Sequence, residues 1–248
     1  MHSIRAGYIN ELMLMLYRKK TAMFFIFSAI LPILMAFALN SLQPVLGLVA
    51  VSRSFPHQML DIYTAVWIPL FILFNIGDLF PNEIASRTLK LALLRPNTRF
   101  QVYLAKVAAL ATGIAALLVM LGIVTLICNL FAGSPLGLTE TFGIVKAYFA
   151  ALVAMLALAA LFIFVAQFFK TANAFMVFSI VLYAAAKLAP FFSSSIAAFS
   201  PASYTNWHML WLSSTVSAGR LLTGSLFLVS SCILFFSLGY YIFDRKEV

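Results

Sequence analysis

Long stretches with few or no charged residues alternate with short polar inserts along this chain, and that alternation lays out the architecture. Apolar runs at 21–39, 62–77, 100–131, 141–169, 173–192 and 221–243 predict six transmembrane helices, since roughly 20 apolar residues cross a bilayer. The runs are continuous and lack period-two alternation, so an all-α integral membrane protein is expected and a β-barrel is not. Pro32 in the first run and Pro69 in the second each predict a kink, and a carbonyl freed by such a proline needs a donor from neighbouring structure. The third run exceeds what a bilayer needs, so its first turns are expected to protrude. Ala105, Ala109 and Gly113 form one small-residue file there, and Ala108, Thr112 and Ala116 another. Ala147, Ala150, Ala151 and Ala154 make a similar face in the fourth run. Such files let helix backbones approach closely.

Ahead of the first run, residues 3–17 read as an amphipathic helix. Ile4, Tyr8, Leu12, Met15 and Leu16 share a face, Ser3 and Asn10 lie opposite, Glu11 sits at the border and Arg5 intrudes on the apolar side. Arg18-Lys19-Lys20 closes it, which suits an elbow lying at the membrane interface near anionic head groups; the plainer reading extends the first span. Residues 40–61 read as a loop, although the start of the second span is open to lying further back. Gly133 to Gly137 reads as a tight turn. Residues 193–219 are too polar for a span, but 197–212 suits short re-entrant or interfacial helices, with Trp207 and Trp211 at head-group level.

The insert at 78–106, between the second and third runs, is the richest in charge. Pro81 suits a first helical turn, and a helix over 81–94 places Glu83, Ser86, Arg87 and Lys90 on one face. Glu83 and Arg87 are spaced as an i, i+4 pair. Pro96 stops the helix by disfavouring the helical region at Arg95. Two readings fit: a basic loop, or a docking helix that receives force from a soluble partner.

These residues resemble a family. Glu83-x-x-x-Arg87-Thr88-Leu89-Lys90, then Leu93-Leu94-Arg95-Pro96 and Arg99, ending in Tyr103-Leu104-x-x-Lys106, is similar to the segment after the second span of ABC type-2 exporter permeases. That group includes the bacitracin- and sodium-efflux-like exporters and the lantibiotic-immunity permeases. Arg87 stands where Gly is common, the word-level match is confined to this segment, and the layout match covers the whole chain. The resemblance implies a single permease domain over 1–248 with a coupling helix made by Glu83, Arg87, Thr88, Leu89, Lys90, Leu91, Leu93 and Arg95. It further implies two separate ATPase subunits that hold ATP and Mg, a second permease chain, identical or related, and export of an amphiphilic or peptide-antibiotic-like substrate from a prokaryotic cell.

Composition agrees with a membrane location: 64% of residues are hydrophobic and 9% charged, where soluble domains carry about 25% charged. The net charge of +9 needs no nucleic acid to explain it, because membrane proteins concentrate Lys and Arg on the cytoplasmic side. With six spans that side would hold Arg5, Arg18, Lys19, Lys20, Arg87, Lys90, Arg95, Arg99, Lys106, Lys170, Arg245 and Lys246. The outer side would hold only Arg53, Lys146, Lys187 and Arg220, so both termini are expected in the cytoplasm. Cys128 and Cys232 lie in apolar runs and read as small hydrophobes. His2, His57 and His208 read as solvated terminal or loop residues.

No Gly-x-x-x-x-Gly-Lys-Ser/Thr loop is present, so this chain is expected to bind no nucleotide, cofactor or metal itself and to act as translocator, not enzyme. Asn82-Glu83-x-x-x-Arg87 is a partial match to the Glu-Glu-x-x-x-Arg motif of intramembrane prenyl-protein proteases, but the first Glu and the span histidines are lacking. Two other classes stand beside the exporter: an ion-coupled secondary transporter and a non-transporting membrane immunity protein. A carrier needs ionisable groups within its spans. Lys187 is the strong candidate there, and it reads better as snorkelling outward or lining a polar outer vestibule.

Overall fold

The computed structural model describes residues 2–46, 54–86, 98–132, 137–192, 200–212 and 216–246. Among them every regular element is helical, and six helices are long and apolar enough to cross a membrane: Lys19–Ser41, Phe55–Ala85, Arg99–Phe131, Leu138–Ala166, Ala172–Phe192 and Ala218–Asp244. These are spans one to six, and they mark the chain as a multi-pass membrane protein. Spans two and four form the centre, with 61% of their apolar windows buried against 11% in spans one, five and six.

Two boundaries differ from the hydropathy reading. The helix of span one continues through Pro32 to Leu46, and span two starts at Phe55, so most of the expected 40–61 loop is helical. Burial explains the early start: Phe55, Pro56, Met59 and Leu60 are enclosed by the bundle, and Pro56 occupies a first turn where its missing N–H is harmless.

Span two is built in pieces. A π-helical turn, Tyr63–Trp67, separates Phe55–Ile62 from Ile68–Leu79. Pro69 follows directly and offers no N–H to the carbonyl of Ala65, four residues back. That carbonyl accepts the Tyr183 hydroxyl of span five at 2.6 Å. The proline's defect is thus satisfied by a neighbouring helix. Tyr183→Phe leaves the carbonyl unpaired, and a loss of about 1 kcal/mol of stability is expected, to be read as a lowered midpoint of thermal unfolding in detergent.

Aromatic packing ties spans two, three and six together at the end where Arg18, Lys20, Arg99 and Lys106 lie, called here the basic end. Tyr103 is fully buried, with ring centroids 5.8 Å from Phe80, 5.2 Å from Phe236, 5.7 Å from Tyr240 and 5.4 Å from Phe243. Gly239 of span six lies against the Tyr103 hydroxyl, where a Cβ would come within 2.5 Å of the oxygen. Thr98 starts span three with a reciprocal cap: its Oγ1 accepts from the Gln101 N–H at 3.3 Å, and Gln101 Oε1 accepts from the Thr98 N–H at 3.2 Å.

The N-terminal segment is a separate helix, His2–Leu16, ended at Tyr17–Arg18 before span one begins. Its buried side matches the expected face in part: Met15 is buried and Tyr8 and Leu12 are half-buried, but Ile4 and Leu16 are exposed and Glu11, expected at the border, is buried. The reason is its partner. The helix packs on the small-residue file of span three, with Gly7 over Ala105 and Met15 over Gly113. Ala105, Ala109 and Gly113 are all buried, whereas Thr112 and Ala116 of the second file face outward. The alanine face of span four is buried in full.

At the opposite end a 3-10 turn, Pro201–Tyr204, and a short helix, His208–Leu212, pack onto span four. Trp207 is almost completely buried and sits against Gly224 of span six. Trp211 stays 40% exposed. The large indole has more apolar area to bury in the cleft between spans four and six than a loop position would give it.

Candidate functional site

The densest cluster of charge lies at the basic end and centres on Lys106. A lysine on the buried face of span three is costly to desolvate unless it is paired. Lys106 is fully buried, and its Nζ lies 2.6 Å from Glu83 Oε1 and 3.1 Å from Glu11 Oε2. Glu83 comes from the short helix Pro81–Ala85, and Glu11 from the N-terminal helix. One ammonium therefore joins three elements that are far apart in sequence. Two carboxylates share this one ammonium, and the Arg18 guanidinium also acts on Glu83.

A second layer surrounds it. Asp78, at the end of span two, lies 3.4 Å from Arg18 Nη1 and 3.8 Å from Lys20 Nζ, so Arg18 is drawn against the protein while Lys20 stays mostly exposed. Thr21 Oγ1 donates to Asn75 Oδ1 at 3.1 Å, and Asn75 Nδ2 donates back to the Phe71 carbonyl at 2.9 Å. Arg99, at the start of span three, donates through Nη1 to the main-chain carbonyls of Asp244 and Lys246 and so gathers the end of span six. Burial pulls the Lys246 ammonium down to about 8.

Of the expected coupling residues, Glu83 is described, and its carboxylate turns inward to Lys106. The first turn of the predicted 81–94 helix is present as Pro81–Ala85, with Ser86 in the turn that follows. Arg87, Thr88, Leu89, Lys90, Leu91, Leu93 and Arg95 lie outside the described residues, as does the partner of the expected Glu83–Arg87 pair. Residue-level reading missed the inward roles of Glu11 and Lys106. A signal existed: the chain has only seven acidic residues, and a lysine on the same face as Tyr103, Ala109 and Leu110 needs one of them.

The opposite end holds a smaller polar group. His208, expected in solvent, is fully buried and its Nε2 is 2.7 Å from Asp61 Oδ1. The correction follows from the short helix folding back onto span four, which carries the imidazole to the wall of span two. Burial pushes the His208 imidazole below its ordinary value, with the Asp61 carboxylate acting against that shift. A ring that is harder to protonate when folded contributes stability that is complete above the ordinary histidine value of about 6.5 and is lost as pH falls below it. Thermal unfolding should therefore shift downward between about pH 7 and pH 5.5, and this component should vanish in His208→Gln. His57 is half-buried.

Cys128 and Cys232 are free thiols, both half-buried. Among the described residues no group of three His, Cys, Asp or Glu side chains is placed to hold a metal ion. No known family and no curated protein sequence matches the chain.

Proposed function

We propose that this chain is the transmembrane subunit of an ATP-driven exporter of the ABC type-2 kind. The observation that supports it is the Lys106 triad. A load applied to the insert after Ala85 reaches Glu83 first, and Glu83 shares its ammonium with the N-terminal helix and with span three. Closure of two ATPase subunits on a cytoplasmic face would push the 83–95 insert, and the triad would carry that push into the bundle. In this reading the basic end is cytoplasmic, both termini lie on that side, and the N-terminal helix is an interfacial elbow. The coupling residues are Glu83, which passes the push inward to Lys106, Arg87 and Lys90, which would make the polar contacts to the ATPase, and Leu89, Leu91 and Leu93, which would anchor the segment.

Spans one, five and six are poorly buried within one chain, which suits pairing with a second permease chain, identical or related. The substrate class is an amphiphile or antibiotic-like peptide moved out across a prokaryotic cell membrane. Movement would be a change between two packings of the same helices, biased by nucleotide on the partner.

Glu83→Ala with Arg87→Ala should abolish transport-coupled ATPase activity in proteoliposomes containing the ATPase subunits, while membrane insertion persists. Normal coupling in that variant counts against the assignment. Absence of any co-purifying ATPase would count more heavily. One observation favours an ion-coupled carrier as second reading: the triad is a buried ionisable site with more carboxylate than ammonium. Substrate uptake or efflux driven by a proton gradient without nucleotide selects that reading.

A further inference from the structure

A cavity of about 230 Å³ lies between spans four, five and six, with Ser200, Pro201 and Ala202 forming one side. Its walls are apolar: Phe162, Ala186, Ala202 and Phe235 contribute hydrocarbon, and Tyr183 presents its ring while its hydroxyl is committed to the Ala65 carbonyl. Lys187 follows Ala186 directly and stands one helical turn beyond Tyr183, two residues that line this cavity, and its ammonium meets Thr205, next to the Pro201–Tyr204 turn on one side of it.

The charge beside the cavity is unpaired. Lys187 Nζ contacts Thr205 Oγ1 and lies 5.9 Å from the centre of the Tyr183 ring, and it makes no ion pair among the described residues. Asp61 takes His208 at 2.7 Å, and Glu140 Oε2 accepts the Gly137 N–H at 2.8 Å. A half-buried ammonium within a span is retained at a cost unless something anionic completes it. An apolar slot with one cation at its edge matches a single hydrocarbon chain that ends in a negative charge.

We propose that this cavity binds a single-chain anionic amphiphile, its tail between spans four, five and six and its carboxylate or phosphate on Lys187. The site goes beyond the exporter reading and stands without it, because binding needs neither nucleotide nor ATPase.

The test uses the full chain alone in nanodiscs of zwitterionic lipid, with radiolabelled decanoate as probe and decanol as its uncharged counterpart. Wild type should bind decanoate saturably. Lys187→Ala should weaken decanoate at least about tenfold, the effect of losing a charge-assisted contact, and should leave decanol binding unchanged. Lys187→Arg should keep decanoate affinity within about threefold, since the cation is retained. Filling the cavity from either wall, by Ala186→Phe or by Ala202→Leu, should weaken both probes. The proposal is overturned if wild type shows no saturable decanoate binding, or if Lys187→Ala binds decanoate as wild type does. It is equally overturned if Lys187→Ala loses decanol in parallel, which would assign the lysine to packing. Failure here leaves the coupling test of Glu83 and Arg87 untouched, and failure there leaves this one untouched.

Discussion

Lys106→Ala should destabilise the solubilised protein by about 3–5 kcal/mol, the range for removing one member of a buried ion cluster. Two effects add. The side chain is fully buried, so its removal leaves a void between the N-terminal helix and span three. It also strands Glu11 and Glu83, which face each other's charge with no ammonium between them. A control separates the two. Replacing all three at once, Lys106→Met with Glu11→Gln and Glu83→Gln, removes the charge while keeping the volume, and should recover most of the loss. Unfolding midpoints of the single and triple variants decide this. If the triple variant is no more stable than Lys106→Ala, the triad's charge is not what holds these elements, and packing alone would account for them. In the exporter reading the triple variant has a second expected property: stable, inserted and uncoupled.

Gly239→Leu is the second large effect. A Cβ at this position meets the Tyr103 hydroxyl at 2.5 Å and the Phe164 main chain at 3.5 Å. Neither neighbour is free to withdraw. Tyr103 is walled by Phe80, Phe236, Tyr240 and Phe243, and Phe164 Cα belongs to the backbone of span four. Overpacking of a closed core commonly costs about 1–3 kcal/mol, and a leucine here should reach the upper part of that range by separating span six from span four. Gly239→Ala should be milder. Cysteines placed on spans four and six, cross-linked in wild type and not in Gly239→Leu, would report the separation directly; unchanged cross-linking with an unchanged unfolding midpoint would refute it.

The spans were legible because their signal is length and hydropathy, which act locally. The expected runs match spans three to six to within a few residues at each end. The start of span two was not legible to that degree. Residues 55–61 contain His57, Gln58 and Asp61, which lower hydropathy, yet Phe55, Met59 and Leu60 are buried by the bundle and hold the helix together. Tertiary burial decided what local composition left open. Thr98-x-x-Gln101 carries the capping-box pattern that fixes the start of span three, so that boundary was readable from side-chain chemistry.

The candidate site was legible only in its address. The insert after span two held the expected glutamate, but the direction in which Glu83 points depends on Lys106, 23 residues on, and on Glu11, 95 residues before that lysine. Periodicity placed Glu11 at the border of an apolar face, because a helical wheel has no information on what the helix packs against. Once the small-residue file of span three is the partner, the face containing Gly7, Glu11 and Met15 becomes the inner one. His208 was misread for a related cause: a polar residue in a loop reads as solvated until the loop folds back into the bundle.

The break in span two gives that helix a joint. Above the π-helical turn it carries Asp61, which is tied to His208; below it, the chain leads to Asp78 and Glu83, which are tied to the first helices and to Lys106. The rung missing at Pro69 makes this the place where the helix bends at least cost, and the joint is held by the Tyr183 hydroxyl of span five and by Tyr63 and Trp67 of the turn itself, which donate to Ser28 of span one. The two polar clusters, at opposite ends of the bundle, thus sit on separate levers of a single helix, with spans one and five holding the pivot.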